Sequence, residues 1–557
     1  MNLPTHRPVS KSRQWNTVLL FSPVLVSILI ILPRLLSPQF GLFDDGVTLR
    51  TSQELATGSF NLQFDLGAGR WRPVYWIFYA LPYLIARTSP LMYFLVNAIE
   101  LCLITAGIIH LVHVMSGSRL QGLLSGLFFA LAGPIIENFY TLSKPEPPQM
   151  LFLVVTLVLL WQAVINPGRR EKVLFGLLGA TFFVLAVLVK ETTLIIVGIS
   201  LTWLVFNLVF SRKKRLNPQI IEFTWYLFGI SLIGLAAFIF PRLALSIHSS
   251  VGGTYSSHYG FSISDMTATA IRWVGWLVRD FAYLVPLGLL GLILWRRYQA
   301  KEKTILIGSV IWMVAWIAIY LPWSLMTEYY MLPFALGAAV FAAVVVGRAV
   351  QAFLGESRLC RLLVVLCMGL AGILLLGGCV NNYTTARIQL IVDRANAETL
   401  AYIARQAPPD STIYVNIQTS NEYVDEIGMQ LVEVWDRDDL HLAVVDLSEM
   451  PVRGKTNPGD FFIIAPHVKN QPLMTVRMGV VESSLSDWTL GLDEYLVEHG
   501  GWQSVAEFGG HFHNIILDLP RLFCPFIKTR SFCATPAPMF DTRPFSYGWT
   551  VYRLVSP

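Results

Sequence analysis

Two adjacent carboxylates, Asp44 and Asp45 in "FGLFDDGVTLR", stand just past the first long apolar run of the chain. Further along, charged and phenolic groups recur at the ends of other apolar runs. They are Arg70 and Arg72 in "GRWRPVYW", Lys144 and Glu146 in "YTLSKPEPPQ", Lys190 and Glu191 in "VLVKETTL", Arg242 in "FPRLAL", Arg272, Arg279 and Asp280 in "IRWVGWLVRD", and Glu328, Tyr329 and Tyr330 in "TEYYMLPF". Arginine holds phosphate oxygens through paired hydrogen bonds, so cations gathered at one level suit a lipid-linked phosphate. A nearby carboxylate suits removal of a proton from a hydroxyl nucleophile as the phosphate departs. Neighbouring residues on a helix point about 100° apart, so the two acids would divide the work: one as base, the other orienting it or binding acceptor.

Each residue also has a simpler role. Asp45 could cap the helix expected over "GVTLRTSQELATG". Lys190 and Glu191 could pair with each other, or the lysine could reach toward headgroups. Arg272 and Arg279, seven apart, share a helical face that could grip lipid phosphates. The convergence of many sequence-distant loops favours a site over these separate roles.

The elements that must position these groups are membrane helices. The chain has 557 residues, 54% hydrophobic and 14% charged, with mean hydropathy +0.56; soluble domains carry about 25% charge. The formal net charge of +5 is small for this length and gives no basic stripe for nucleic acid. A first crossing is expected from Trp15 to Leu36, after a basic leader with His6, Arg7, Lys11 and Arg13 and without a small-residue cleavage signature. Further crossings are expected at Leu91–Met115, Leu120–Ile135, Pro148–Ile165, Val173–Val189, Thr193–Phe210, Phe223–Phe240, Phe281–Trp295, Ile305–Pro322, Tyr330–Val346 and Leu359–Cys379, about eleven in all. With the chain starting inside, "GRREK", "SRKKR", "RRYQAKEK" and the Arg348, Arg358, Arg361 group all fall on the inner side. Treating Pro73–Arg87 as a crossing would reverse the later clusters, so that segment reads as an interfacial helix within an outer loop, 37–89. The acids then face out.

The fold class expected is a polytopic α-helical membrane protein, 1–380, followed by an extracytoplasmic α/β domain, 381–557. Beyond Cys379 a helical pattern in "RIQLIVDRANAETLAYIARQ" precedes strand-like "STIYVNI", "HLAVVDL" and "DFFIIAPH". Cys102, Cys360, Cys367 and Cys379 lie in apolar helices as small hydrophobes. Cys524 and Cys533 are close enough in sequence to leave a disulfide open, geometry deciding. His511 and His513 in "GGHFHN" would share a strand face, but a zinc site needs further ligands and none stands at useful spacing.

The order of "FDDG", "RPVYWIFYALPYL", "TLSKPEPPQ", "VKETTL" and "YYMLPF" resembles the GT-C membrane glycosyltransferases, in particular the branch of protein O-mannosyltransferases and aminoarabinose transferases of lipid A, over about the first 380 residues. The resemblance implies that Asp44 is the general base of the outer-loop acidic pair, with Asp45 beside it. It places Arg72, Lys190, and Arg242 or Arg272 on the donor phosphate, with Tyr330 of the Tyr-x-Leu-Pro pattern as a phosphate or sugar contact. Arg70, Lys144, Glu146, Glu191 and Glu328 are then the remaining candidates for substrate binding. Two features depart from the family pattern: the glycine after the acids and the "KPEPP" run.

The activity so implied is inverting transfer of a monosaccharide from a polyprenyl-phosphate donor to a hydroxyl acceptor (glycolipid, polysaccharide or protein) at the outer face of a cell membrane, a bacterial plasma membrane being expected. Membrane lipid, donor and acceptor are its partners, and nucleic acid is not. No cofactor is firmly implied. Asp45 and Glu146 could serve a divalent cation, which needs more oxygen ligands than the sequence offers. A multi-pass transporter should show repeated halves and midplane polar groups, and neither is visible. A non-catalytic scaffold would leave the collected acids and bases without a purpose.

Overall fold

The computed structural model of the protein describes residues 20–42, 44–60, 70–211, 218–244, 258–324, 326–353, 357–416, 421–445, 456–469, 501–512 and 545–555. Cys524, Cys533 and His513 lie outside the described residues, as do the basic leader and most of the "SRKKR" cluster.

In chain order the helices are α1 Ser22–Leu36, α2 Asp45–Thr57, α3 Pro73–Ala86, α4 Pro90–Ser116, α5 Arg119–Ala130, α6 Pro134–Phe139, α7 Glu146–Ile165, α8 Arg169–Val189, α9 Ile195–Ser211, α10 Pro218–Ala244, α11 Ile263–Asp280, α12 Leu284–Ile293, α13 Ala300–Tyr320, α14 Leu332–Phe353, α15 Arg358–Gln406 and α16 Asn421–Trp435. Proline stands in the first turn of α1, α3, α4, α6 and α7, where its missing N–H costs nothing and its fixed φ starts the helix. The "KPEPP" run is therefore the entry of α7. Seven described helices are long and apolar enough to cross a membrane, and α11 with α12 forms a further pair bent by 82°.

Two expected crossings differ in form. Leu120–Ile135 is divided into α5 and α6, because Pro134 begins a new helix and Gly133 lets the turn press on Asp280; a Cβ there would lie 2.3 Å from the Asp280 carboxyl carbon. Phe281–Trp295 contributes only the ten residues of α12, which leaves α11 at a sharp bend. The shorter apolar helix α1 precedes the first loop, and α3 lies within it.

The last long helix, α15, runs unbroken for 49 residues, through position 380 and on into the C-terminal region. There it packs on a five-stranded sheet of order β2-β1-β3-β5-β4, formed by β1 Thr412–Asn416, β2 His441–Val444, β3 Phe461–Lys469, β4 Trp502–Phe512 and β5 Phe545–Leu554. β1 pairs in parallel with β2 and β3, whereas β5 runs antiparallel to β3 and β4. The three strand-like segments read from the sequence are β1, β2 and β3. The sheet is fixed to α15 by Asn396, whose Oδ1 accepts from Tyr547 Oη and Trp549 Nε1, each at 2.7 Å.

A second core lies between the bundle and the first loop. Phe40, Leu49, Tyr75, Trp76, Tyr79, Tyr93, Phe94, Leu142 and Val189 bury one another there. Edge-on ring pairs such as Phe40–Tyr93 at 5.7 Å and Tyr75–Tyr79 at 5.2 Å each add about 0.5–1.5 kcal/mol beyond area burial. This core makes α2 and α3 a rigid floor under the acids.

Candidate functional site

The site is built from the start of α2. Asp44 is its N-cap residue, exposed and in the left-handed region at φ +62°, and its carboxylate does not cap the helix. Ser143, also at φ +62°, donates from Oγ to the Asp44 carbonyl at 2.8 Å and shares a 2.5 Å hydrogen bond with Thr48 Oγ1. Two non-glycine residues in this sparsely populated region, locked together, are the kind of local strain that surrounding structure must hold in place. Asp45 behaves differently. It is buried, and its Oδ2 accepts from Gly41 N at 2.7 Å instead of capping α2. Burial raises its carboxyl well above the usual range, the Gly41 N–H working in the opposite sense.

Facing α2, the "VKETTL" segment ends α8 and turns into α9. Thr193 Oγ1 donates to the carbonyls of Ala186 and Lys190, and Gln149 Nε2 of α7 donates to Thr193 Oγ1 at 2.8 Å. The lysine so fixed forms a buried ion pair with Glu146 of α7. Its Nζ sits 4.3 Å from the ring centre of Tyr330, 5.6 Å from Tyr320 and 5.8 Å from Tyr329. Lys144, also buried, brings its Nζ to 5.2 Å from the Tyr329 ring, while its backbone N–H and carbonyl bond the Tyr79 hydroxyl. Asp44 lies within electrostatic reach of Tyr329, and Arg70 within reach of Lys190, Tyr330 and Tyr259. Glu191 acts on Lys190 and Tyr320 in the same way. Seven expected site residues, Asp44, Arg70, Lys144, Glu146, Lys190, Glu191 and Tyr330, thus gather at one end of the helices.

The others stand around this group. Arg72 lays its guanidinium 4.9 Å from the Tyr75 ring. Arg272, exposed on α11, donates to the Ser324 carbonyl beside Trp323, whose ring meets Tyr330 edge-on. Arg242 is near the end of α10, over Phe238 at 4.7 Å. Glu328 is engaged in a buried network with Arg279, whose Nε donates to Asp280 Oδ1 at 2.8 Å. That triad joins α11 to the turn before α14.

Three contributions from this end of the molecule escape the sequence reading. Arg34, fully buried inside the apolar run of α1, donates to Asp393 of α15 at 2.7 Å, and its guanidinium lies 4.0 Å from the Phe94 ring. An arginine within an apolar run announces a partner, although not which one. Glu426 of α16 accepts from Gly46 N at 2.6 Å and Val47 N at 3.2 Å at the start of α2. Burial pushes its carboxyl up to about 8, the Gly46 N–H opposing and the Asp45 and Asp44 charges adding. Gln430 Nε2 donates to the Gly41 carbonyl at 2.5 Å. No sequence signal connects positions so far apart.

Among the described residues no group of three or more histidine, cysteine, aspartate or glutamate side chains is arranged to hold a metal ion. Asp45 and Glu146 are engaged with Gly41 N and Lys190. What the arrangement offers is an exposed carboxylate near a buried cluster of two lysines and aromatic rings, fit for proton removal beside an anionic leaving group.

The molecule is thus a polytopic helical membrane protein carrying a C-terminal sheet domain over an acid-and-cation site. No protein-family profile matches the chain, and neither does a curated protein. Solved structures are similar to it. ArnT from Cupriavidus metallidurans bound to undecaprenyl phosphate is 13% identical, with 88% of this chain and 96% of that chain covered at a TM-score of 0.47. The same protein in the apo state is 12% identical, covering 89% and 97% at 0.46. The archaeal oligosaccharyltransferase AglB from Archaeoglobus fulgidus, in complex with an inhibitory peptide and a dolichol-phosphate, is 12% identical, covering 77% and 64% at 0.47.

Proposed function

We propose that the protein is a membrane glycosyltransferase that moves a monosaccharide from a polyprenyl-phosphate donor to a hydroxyl acceptor at the outer face of the membrane. The observation that carries this reading is the cluster around Lys190, assembled from distant segments, with the exposed Asp44 within electrostatic reach of it. In this reading α1, α4, α5 with α6, α7, α8, α9, α10, the Phe281–Trp295 segment that contains α12, α13, α14 and the first part of α15 make eleven crossings. The Glu302–Arg348 pair and the Lys172–Glu222 pair mark the inner ends. Asp44 takes the acceptor proton, the acceptor oxygen bonds to the anomeric carbon, and the sugar–phosphate bond breaks as polyprenyl phosphate leaves. One displacement inverts the anomeric centre. Lys190, Arg70, Lys144, Arg72, Arg242 and Arg272 surround the charge gathering on the departing phosphate, and Tyr330 borders it. Glu146 and Glu191 balance the charge of Lys190, and Glu328 with Arg279 and Asp280 holds the turn that carries Tyr330.

The test is transfer from a panel of polyprenyl-phosphate sugars by the full chain in nanodiscs, wild type against Asp44→Asn. Loss of about 10²-fold or more in transfer, with donor binding intact, is the result expected of a removed general base. Turnover retained by the variant removes Asp44 from that role. Absence of both binding and transfer with every donor refutes the proposal.

A further inference from the structure

An aspartate at an N-cap ordinarily turns its carboxylate back onto the N–H groups of the second and third helical residues, because these have no partner within the helix. At the start of α2 those groups are Gly46 N and Val47 N, and Asp44 occupies the N-cap. Yet Asp44 makes no capping bond; both N–H groups are taken by Glu426, 380 positions away in the C-terminal domain. The cap has been supplied from outside. Asp44 sits in the left-handed region with its side chain exposed and outside that cap.

Two glycines make room for this arrangement. A Cβ on Gly46 would lie 2.8 Å from Glu426 Oε2 and 3.0 Å from Met429 Cβ, so only glycine lets α16 seat its carboxylate on the helix start. A Cβ on Gly41 would lie 3.0 Å from Asp393 Oδ1, on the segment whose carbonyl Gln430 holds. The glycine of "FDDG" is thereby explained by the approach of a second domain.

We infer that Glu426 is a positioning residue: it caps α2 in place of Asp44 and so keeps the Asp44 carboxylate directed at the acceptor and not at its own helix. The inference rests on the proposed role of Asp44 as base. With Glu426 gone, Asp44 becomes the best available cap for Gly46 and Val47, and the two tasks compete for one side chain. Glu426 touches no reacting atom and acts only through the backbone of α2.

The experiment uses the full chain in nanodiscs with three variants, Glu426→Ala, Glu426→Gln and Gly46→Ala, each read in two ways. Hydrogen exchange across residues 44–50 reports the cap without requiring activity; sugar transfer reports kcat and the donor KM. Glu426→Ala is expected to speed exchange and lower kcat by about 10- to 100-fold, the value of two lost backbone hydrogen bonds, with donor KM within about twofold. Glu426→Gln keeps one acceptor oxygen and should recover part of both. Gly46→Ala keeps every charge and displaces the carboxylate, so it should reproduce the Glu426→Ala result if that variant folds poorly. Unchanged exchange in Glu426→Ala and Gly46→Ala overturns the inference, as does faster exchange with unchanged kcat. If wild type transfers no sugar from any donor, the proposed function falls and the positioning role with it, while the exchange data still decide whether Glu426 is the cap.

Discussion

The Lys190–Glu146 pair gives the sharpest separation of structure from chemistry. Their side chains are 9% and 0% exposed, so neither charge has water to fall back on. Removing one partner of such a pair costs about 3–5 kcal/mol, because the other is left as an uncompensated buried charge. Lys190→Met should therefore lose about that much, and Glu146→Gln a similar amount. The double variant should be close to wild type in stability, so that the two single losses cancel and the coupling energy in the cycle equals their sum, about 6–10 kcal/mol in magnitude. Equilibrium unfolding in mixed micelles measures all four corners. The functional readout points the other way: if Lys190 meets the donor phosphate, the stable double variant still fails to bind donor. Additive losses in the double variant, or a Lys190→Met loss under about 1 kcal/mol, refute the argument that the pair is electrostatically isolated. Donor binding equal to wild type in the double variant removes Lys190 from the phosphate site.

Other outcomes follow from the same geometry. Tyr330→Phe keeps the ring over Lys190 and should leave stability unchanged, whereas Tyr330→Leu should lose about 1–2 kcal/mol of desolvated cation–π attraction; equal effects in unfolding refute the ring's part. Glu426 and Asp45 bind protons more tightly when docked than in the unfolded chain, where a carboxyl titrates near 4. Docking is then fully supported below about pH 4 and weakens as pH rises toward 8. Proteolysis at the α2–α16 contact should accelerate from about pH 5 to 8, less steeply in Glu426→Gln, and the opposite slope contradicts the burial of these acids. Cysteines placed at Ser59 and Gln351, both exposed, should be labelled by an impermeant thiol reagent from outside and inside respectively; labelling of both from one side refutes the orientation.

Much of the membrane part was legible because an apolar run of about 20 residues has few other uses. Pro90–Ser116, Glu146–Ile165 and Ala300–Tyr320 fall close to where hydropathy puts them. Leu120–Ile135 and Phe281–Trp295 were harder, since composition cannot reveal a proline-started break or a bend. The gathering of Asp44, Lys144, Lys190 and Tyr330 was readable as a pattern of loop positions, because acids and bases at several helix ends have to meet something. The division between Asp44 and Asp45 was not. It depends on Ser143, Gly41 and Glu426, contacts made across large sequence distances that leave no local mark. Arg34 with Asp393 is an intermediate case: an ion within an apolar run signals the need for a partner, and only the fold supplies its identity.

The unbroken helix α15 has a mechanical consequence. At 1.5 Å per residue its 49 residues extend about 73 Å, more than twice the roughly 30 Å of hydrocarbon it has to cross. The part beyond residue 380 is a lever arm of about 39 Å whose handle is held by the bilayer. Helices answer a change of bilayer thickness by tilting. A tilt of only about 5° carries the far end of this arm through about 3 Å, the length of a hydrogen bond. The Arg34–Asp393 tether restrains the arm about halfway along, beside Gly41, whose carbonyl Gln430 of α16 also holds. With the bilayer ending near residue 380, such a tilt would reach the loop that carries Asp44 through Gly41, which lies against Asp393.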